Sequence, residues 1–204
     1  MRFLALGDSY TIGESVPPEE RWPVLLAALL RARDIPIEAP EIIAKTGWTT
    51  DELAAAIQRA NFQSPCDLVS LLIGVNNQYR GWSRDTYRTE FAELLRRSID
   101  FAGGAPNRVI VLSIPDWGVT PFGARDIRER TPEQISAEIA AFNAINREET
   151  ASLGAHYVDI TPTSQKAAND LSLLTSDHLH PSGKMYRLWV EEALPVVIGI
   201  FATP

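Results

Sequence analysis

The chain has 204 residues, of which 45% are hydrophobic and 22% charged, and its formal net charge at pH 7 is -7. This size fits one globular domain over residues 1–204, with a core that needs no metal or disulfide for stability. The acidic balance without a basic cluster argues against nucleic acid as a partner, and the single cysteine, Cys66, excludes a disulfide framework and a multi-thiolate metal site.

The chain carries no recognisable targeting or membrane segment. Its first apolar run is interrupted at Asp8, too soon for the apolar region of a secretory signal. No stretch approaches the roughly 20 apolar residues that a membrane-spanning helix needs. We therefore expect a cytoplasmic protein without a membrane span.

Five short runs rich in valine, isoleucine and leucine, with little polar alternation, predict strands that helices cover on both faces. In chain order they are residues 2–6, 41–45, 67–74, 108–114 and 156–160. Helix-start signals stand between them at Thr49, Ser83 and Thr131, the first and last with a capping-box partner three residues later. Alternating strands and helices predict the α/β class, with a parallel sheet and right-handed crossovers.

Polar residues and glycines follow each predicted strand, where parallel sheets bind their ligands. They are Gly7-Asp8-Ser9, Thr46-Gly47-Trp48, Gly74-Val75-Asn76-Asn77, Pro115-Asp116-Trp117 and, at a distance after the fifth run, Asp177-His178-Leu179-His180-Pro181. A hydroxyl, two amides and an Asp/His pair on one rim are more than turn formation requires. This combination indicates nucleophilic catalysis, with Ser9 as the candidate nucleophile.

A serine hydroxyl needs a base, and histidine is the usual one. His180 stands three residues after Asp177, a spacing that sets the two side chains side by side in a turn, so that the carboxylate can orient the ring. His178 points elsewhere, and His156 opens the fifth predicted strand at the wrong end of the sheet. Taken alone, the same residues also fit a polar loop.

The orienting acid and the oxyanion donors have alternatives as well. Asp159, at the end of the fifth run, is a competing acid, although an aspartate there often only caps a turn. The backbone N–H of Ser9, the N–H of Gly47 and the side-chain amide of Asn76 are candidate oxyanion donors. Gly47 and Asn76 are each also compatible with ordinary turns.

With "GDSY" near the N-terminus, Gly47, "GVNN" and "DHLHP", the chain resembles the SGNH (or GDSL) hydrolase superfamily over nearly its whole length. The resemblance implies a flavodoxin-like three-layer α/β/α fold with a five-stranded parallel sheet, and ester hydrolysis through an acyl-serine. It implies Ser9 as nucleophile, His180 as base, Asp177 as orienting acid, and Gly47 and Asn76 as oxyanion donors beside the Ser9 amide. No cofactor or metal is expected, and the partner is a small-molecule ester.

The chain departs from the pattern of this superfamily at two positions. Tyr10 stands where leucine is common, beside the nucleophile. Asn77 stands where aspartate is usual, which keeps an acceptor oxygen but removes a charge. We expect the catalytic set to tolerate both changes.

Aromatic residues follow several predicted strand ends and could stack on sugar rings or line an acyl pocket. They could equally be half-buried anchors of their loops. They are Trp48, Trp82 and Trp117, with Tyr79 and Phe122 nearby. We predict substrate contacts from Tyr10, Trp48, Asn77 and Trp117, and a wall formed by the long loop 115–130. Short-acyl or acetylated carbohydrate esters are the expected substrates.

Three other functions stay open from the sequence. A lysophospholipase or thioesterase would use the same groups on other acyl donors. A catalytically silent relative would bind ligands only. A nucleotide or phosphate binder would use "GDSYTIGE" as an anion loop, although the lysine and spaced glycines of a P-loop are missing.

Overall fold

A computed structural model describes residues 1–60, 62–63 and 65–202. Thr203 and Pro204, the last residues of the predicted domain, lie outside this part of the chain. No helix within it is long and apolar enough to cross a membrane.

All five predicted runs form strands, and each observed end lies within two residues of its expected position. The strands are β1 (Phe3–Gly7), β2 (Glu41–Ala44), β3 (Leu68–Leu72), β4 (Val109–Leu112) and β5 (His156–Val158). They make one parallel sheet in the order β2-β1-β3-β4-β5. The α/β class and the five-stranded flavodoxin-like sheet are thus confirmed.

The α-helices of the described residues lie between and after the strands. They are α1 (Ser9–Ile12), α2 (Trp22–Arg31), α3 (Thr50–Ala60), α4 (Val75–Arg80), α5 (Arg84–Phe101), α6 (Pro132–Ser152), α7 (Thr161–Ser164) and α8 (Gly183–Ala202). Short 3-10 helices add Pro18–Glu20, Pro106–Arg108, Trp117–Val119, Gly123–Arg125, Gln165–Ala168 and Leu171–Leu173.

The chain reverses its direction across the sheet after β2, and right-handed crossovers therefore put the helices on both faces. α2 packs against α8, while α5 packs against both α3 and α6. Every residue of β1, β3 and β4 is buried between these layers, whereas the edge strand β2 is partly exposed. The continuous apolar runs in the sequence follow from this double covering.

The predicted helix signals act much as expected, with one difference. Thr131 and Gln134 form a complete capping box at the start of α6, and the Ser83 hydroxyl accepts the Thr86 N–H at the start of α5. At α3 only half of the box is made: Glu52 accepts the backbone N–H of Thr49 at 2.9 Å, but the Thr49 hydroxyl bonds to side chains instead. α2 is not predicted from the sequence.

Candidate active site

The candidate nucleophile Ser9 is the first residue of α1 and follows the buried strand β1 after a sharp turn. A β-carbon at Gly7 would lie 2.3 Å from Thr11 Oγ1 and 2.4 Å from the carbonyl oxygen of Leu72. Only glycine therefore lets α1 fold back so closely on the end of the strand. Because the strand is fixed on both sides by its neighbours, this turn fixes Ser9 at the carboxyl edge of the sheet.

Asp8 caps the short helix that carries the nucleophile. Its Oδ1 accepts the backbone N–H of Tyr10 at 3.0 Å, while its Oδ2 is buried without a hydrogen bond to any described residue. Burial of the whole side chain raises the pKa of Asp8 to about 7. Asp8 is thus a buried carboxyl that caps the backbone of α1.

Residues 175–181, here called the base turn, carry Asp177 and His180. Asp177 Oδ2 lies 2.7 Å from His180 Nδ1, and Oδ1 accepts the backbone N–H groups of Leu179 and His180 at 2.9 Å each. One carboxylate therefore shapes the turn and orients the ring. With Nδ1 engaged, Nε2 is the nitrogen left to accept a proton.

The environment of Asp177 favours its ionised form. Partial burial acts to raise the pKa of this carboxyl, but the bonds from the His180 ring and from the two N–H groups outweigh it and hold the pKa well below its usual range. The hydroxyls of Thr175 and Ser15 also donate to Asp177, at 2.8 and 3.3 Å. The sequence does not predict the contacts of Ser15 and Thr175 with Asp177, since neither residue belongs to a motif.

The candidate oxyanion donors, the candidate nucleophile and the candidate base meet at one cavity of about 190 Å³. Ser9, Gly47, Asn76 and His180 all line it. Gly47 has φ +87°, a left-handed conformation that favours glycine. Asn76 Nδ2 donates to the carbonyl of Trp48 at 2.9 Å, which leaves its second N–H for a ligand.

A second side chain of α4, that of Arg80, binds the loop that carries Gly47, a contact that the sequence does not predict. Arg80 Nη2 donates to the carbonyl oxygen of Gly47 at 2.7 Å, and Nη1 pairs with Glu52 at 3.4 Å. Asn76 and Arg80 are four residues apart, so they share one helix face and bind the carbonyls of two successive residues. The spacing in "NNQYR" is the only signal that could have indicated this contact.

Aromatic and aliphatic side chains form the rest of the cavity wall. They are Tyr10, Val75, Tyr79, Trp117, Phe122 and Leu179. Two of the four predicted substrate contacts, Tyr10 and Trp117, are among them. The loop 115–130 contributes Trp117 and Phe122 to the wall, as expected for a loop at this edge.

The other two predicted substrate contacts, Trp48 and Asn77, lie elsewhere, which corrects the expectation. Neither is among the described residues that line the cavity; Trp48 packs against the core, and its carbonyl accepts the Asn76 side-chain N–H. Asn77 is fully buried: its Oδ1 accepts the N–H of Thr50 at 3.2 Å and its Nδ2 donates to the Thr50 hydroxyl at 2.7 Å. Asn77 therefore joins α4 to α3 and faces away from the cavity.

The competing bases and the competing acid are not among the described residues that line the cavity. The His156 ring contacts the carbonyl of Asn107 at the amino end of β5, and His178 is exposed with φ +59°. Asp159 pairs with Arg147 at 2.7 Å on the outside of the sheet edge. The structure brings only His180 to the cavity among the three histidines.

The chain matches a known protein family over most of its length. The family model described as "GDSL-like Lipase/Acylhydrolase family" matches residues 5–188. No curated protein is significantly similar to the chain.

Several solved structures share the fold over nearly the whole chain. A lipolytic protein of the G-D-S-L family from Veillonella parvula is 19% identical, with a TM-score of 0.70, and the match covers 97% of this chain and 98% of that one. An acetylxylan esterase from Geobacillus stearothermophilus is 17% identical, with a TM-score of 0.72 and coverage of 96% and 93%. The psychrotrophic esterase EstA from Pseudoalteromonas sp. is 19% identical, with a TM-score of 0.69 and 99% coverage of both chains.

Proposed function

The chain belongs to the GDSL-like lipase/acylhydrolase family, and on that premise we propose that it hydrolyses short-acyl carboxylic esters through an acyl-serine intermediate. The observation that carries this proposal is the meeting of Ser9, Gly47, Asn76 and His180 at one cavity, with the His180 ring bonded to Asp177 at 2.7 Å. The membership of the family supports the broader class, a carboxylic ester hydrolase.

In the proposed reaction, His180 Nε2 takes the proton of the Ser9 hydroxyl as Oγ bonds to the ester carbonyl carbon. The carbonyl oxygen becomes an oxyanion, which accepts hydrogen bonds from the backbone N–H groups of Ser9 and Gly47 and from the free side-chain N–H of Asn76. The intermediate collapses, its C–O bond to the alcohol breaks, and the imidazolium returns the proton to the leaving alkoxide. Water then attacks the acyl-serine with the same base, releasing the acid and restoring Ser9.

The role of Asp177 follows from its contacts. Its carboxylate stays ionised beside the imidazolium that forms during attack, because its hydrogen bonds lower its pKa. It therefore stabilises the charge on His180 and holds the tautomer that keeps Nε2 free.

The cavity supports a short acyl group. Its volume of about 190 Å³ is below the roughly 300–1,000 Å³ of sites that enclose drug-sized ligands. The rings of Tyr79, Trp117 and Phe122 offer flat apolar faces on which a sugar could stack. A neighbour named as an acetylxylan esterase makes acetyl esters of carbohydrates the first substrates to assay.

Covalent labelling tests the proposal. An activated ethylphosphonate ester is expected to add one phosphonyl group to Ser9 of the wild type, as detected by intact mass and peptide mapping. The structural neighbour EstA is inhibited by monoethylphosphonate, which supports this choice of probe. Ser9→Ala should abolish labelling, and Ser152→Ala, at an exposed serine near the end of α6, should leave it unchanged.

Substrate ranking completes the test. p-Nitrophenyl esters of increasing chain length should be hydrolysed fastest as acetate or propionate, and acetylated sugars should also be turned over. A preference for long acyl chains or thioesters would instead assign a lysophospholipase or thioesterase. A folded wild type that resists the phosphonate at pH 8 would be a ligand-binding relative without catalysis.

A further inference from the structure

A second and larger cavity, of about 540 Å³, lies beside the candidate active site. We call it the arginine cavity, because Arg84, Arg128 and Arg130 line it together with Trp82 and Ser83. The esterase chemistry proposed above uses none of these residues. Concave sites with convergent charged groups are where small ligands bind.

The positive charge of this cavity is only partly neutralised. Arg130 is paired with Asp126 at 2.8 Å and with Glu138 at 3.0 Å, and Glu138 also lines the cavity. Arg84 and Arg128, by contrast, form no ion pair with any residue that the structure describes. In a chain whose net charge is -7, two such arginines in one concavity create a local site of positive potential.

Arg128 has a defined position in the cavity. Its guanidinium carbon lies 5.9 Å from the centroid of the Tyr79 ring, and its Nη1 lies 2.8 Å from the position that a β-carbon at Gly81 would take. Packing over the ring and in the space left by this glycine orients the planar guanidinium, whose parallel N–H groups match carboxylate and phosphate oxygens.

The two cavities share a wall. Tyr79 and Trp117 line the candidate active site, and the guanidinium of Arg130 lies 5.7 and 5.3 Å from the centroids of these rings. Gln78, which lines the arginine cavity, accepts the Trp117 indole N–H at 2.8 Å and donates to Glu138 at 2.7 Å. A molecule that extends past the aromatic wall would therefore reach the arginines.

We propose that the arginine cavity is an anion subsite of the esterase, which binds a phosphate or carboxylate group carried on the alcohol portion of the ester. This inference rests on the proposed function, to which it adds the chemical class of the leaving alcohol. Arg84 and Arg128 supply the charge-assisted hydrogen bonds, and Arg130 is kept in place by its two carboxylates.

The test compares matched acetate esters that differ only in the end of the alcohol. One series carries a phosphate on spacers of two to six carbons, a second carries a carboxylate, and a third carries a neutral hydroxyl. At the best spacer length, kcat/KM of the wild type should be about tenfold higher for an anionic ester than for its neutral match. The preference should shrink as the salt concentration rises. The two anionic series distinguish phosphate from carboxylate as the preferred group.

Variants localise the effect. Arg128→Gln and Arg84→Gln should each reduce the ratio of anionic to neutral kcat/KM severalfold, and the double variant should bring it close to one. Arg125→Gln is the matched control, because Arg125 is an exposed arginine of the same loop that lines neither cavity among the described residues. It should keep the wild-type ratio.

The outcomes separate the two proposals. Equal rates for anionic and neutral esters at every spacer length, or an unchanged ratio in the double variant, would overturn the subsite while phosphonate labelling of Ser9 still stood. Failure of that labelling in the folded wild type would overturn the esterase itself.

Discussion

Two regions of the molecule meet at the candidate site and are held there in different ways. Ser9 follows the strand β1, whose residues are all buried between two neighbouring strands. His180 belongs to the base turn, which follows no strand directly and is closed by its own bonds, such as that from the Thr175 N–H to the His180 carbonyl at 2.8 Å. The position of the candidate nucleophile comes from the sheet, whereas that of the candidate base comes from hydrogen bonds within the base turn and from Ser15, which donates to Asp177.

Single side chains have a different weight in these two regions. Near the end of β1, backbone hydrogen bonds to both neighbouring strands hold the chain. Removing one side chain there should therefore remove a single side-chain interaction and leave the backbone in place. On the base turn, one carboxylate accepts bonds from Ser15, Thr175, Leu179 and His180. A change there should disturb the turn and the base together.

The largest effect should come from the base turn. His180→Ala should lower kcat by about 10³-fold or more, because neither of the other two histidines lies at the cavity to take the proton of Ser9. The measurement is kcat for p-nitrophenyl acetate, with intact folding checked by circular dichroism.

The neighbouring histidine provides the matched control. His178→Asn keeps a residue that tolerates the left-handed backbone there, with φ +59°, and it should retain most of the activity. If His178→Asn lost turnover and His180→Ala kept it, the base would have to be reassigned.

On the sheet side, the next largest effect should follow loss of an oxyanion donor. Asn76→Ala should lower kcat by roughly 10²–10³-fold, since one donor to the oxyanion disappears. The nucleophile itself stays in place, so the variant should still be labelled by the phosphonate, only more slowly. An Asn76→Ala enzyme with wild-type kcat would remove Asn76 from the mechanism.

A smaller effect is expected for Arg80, because it binds the loop that carries Gly47 and not the substrate. Arg80→Met removes the bond to the Gly47 carbonyl and should lower kcat about tenfold with little change in KM, as the donor at Gly47 becomes misplaced. Arg80→Lys keeps one donor and should recover part of the rate.

Arg88→Met is the control for Arg80. Arg88 pairs with Glu148 and Glu149 at 2.6 Å each, away from the cavity. Its loss should cost some stability and leave kcat unchanged. A rise in KM without a change in kcat for Arg80→Met would contradict a positioning role.

The smallest effect concerns stability and comes from Asp8. Its pKa of about 7 in the folded chain, against about 4 in the unfolded chain, means that the folded state holds a proton that the unfolded state has released. The contribution of Asp8 to stability should therefore decline as the pH rises from about 4 to about 7. Asp8→Asn removes this titration and should gain stability relative to the wild type as the pH increases.

Urea denaturation at pH 5 and pH 8 measures the effect of Asp8. The difference in unfolding free energy between Asp8→Asn and wild type should be larger at pH 8, by up to a few kcal/mol. Asp85→Asn, at an exposed carboxylate in the first turn of α5, is the control substitution. Parallel pH profiles for Asp8→Asn and wild type would show that Asp8 is ionised in both states.

The sequence predicted what depends on local pattern. Apolar runs predicted all five strands, and the residues after them include those that line the cavity. The spacing of Asp177 and His180 predicted their contact, because it lies within one turn. The parallel sheet then explains why residues so distant in the chain meet at one edge.

Contacts that depend on tertiary packing were not predictable in this way. The Asn77 side chain is held by Thr50 of α3 and is fully buried, so it does not face the cavity. Arg80 binds a backbone carbonyl 33 residues earlier, and carbonyls carry no sequence signal. α2 is not among the predicted elements, although Trp22, Leu26 and Leu30 repeat every four residues on its buried side.

α2 packs against α8, and these two helices come from opposite parts of the sequence. α8 begins three residues after His180, and α2 lies in the segment that follows Ser9. The contact between the two helices therefore joins an early and a late segment of this sequence, the same two segments that bring Ser9 and His180 to one cavity. Under the proposed function, turnover would require both segments to be packed together, and a fragment that kept most of the sheet but lost either segment should be inert.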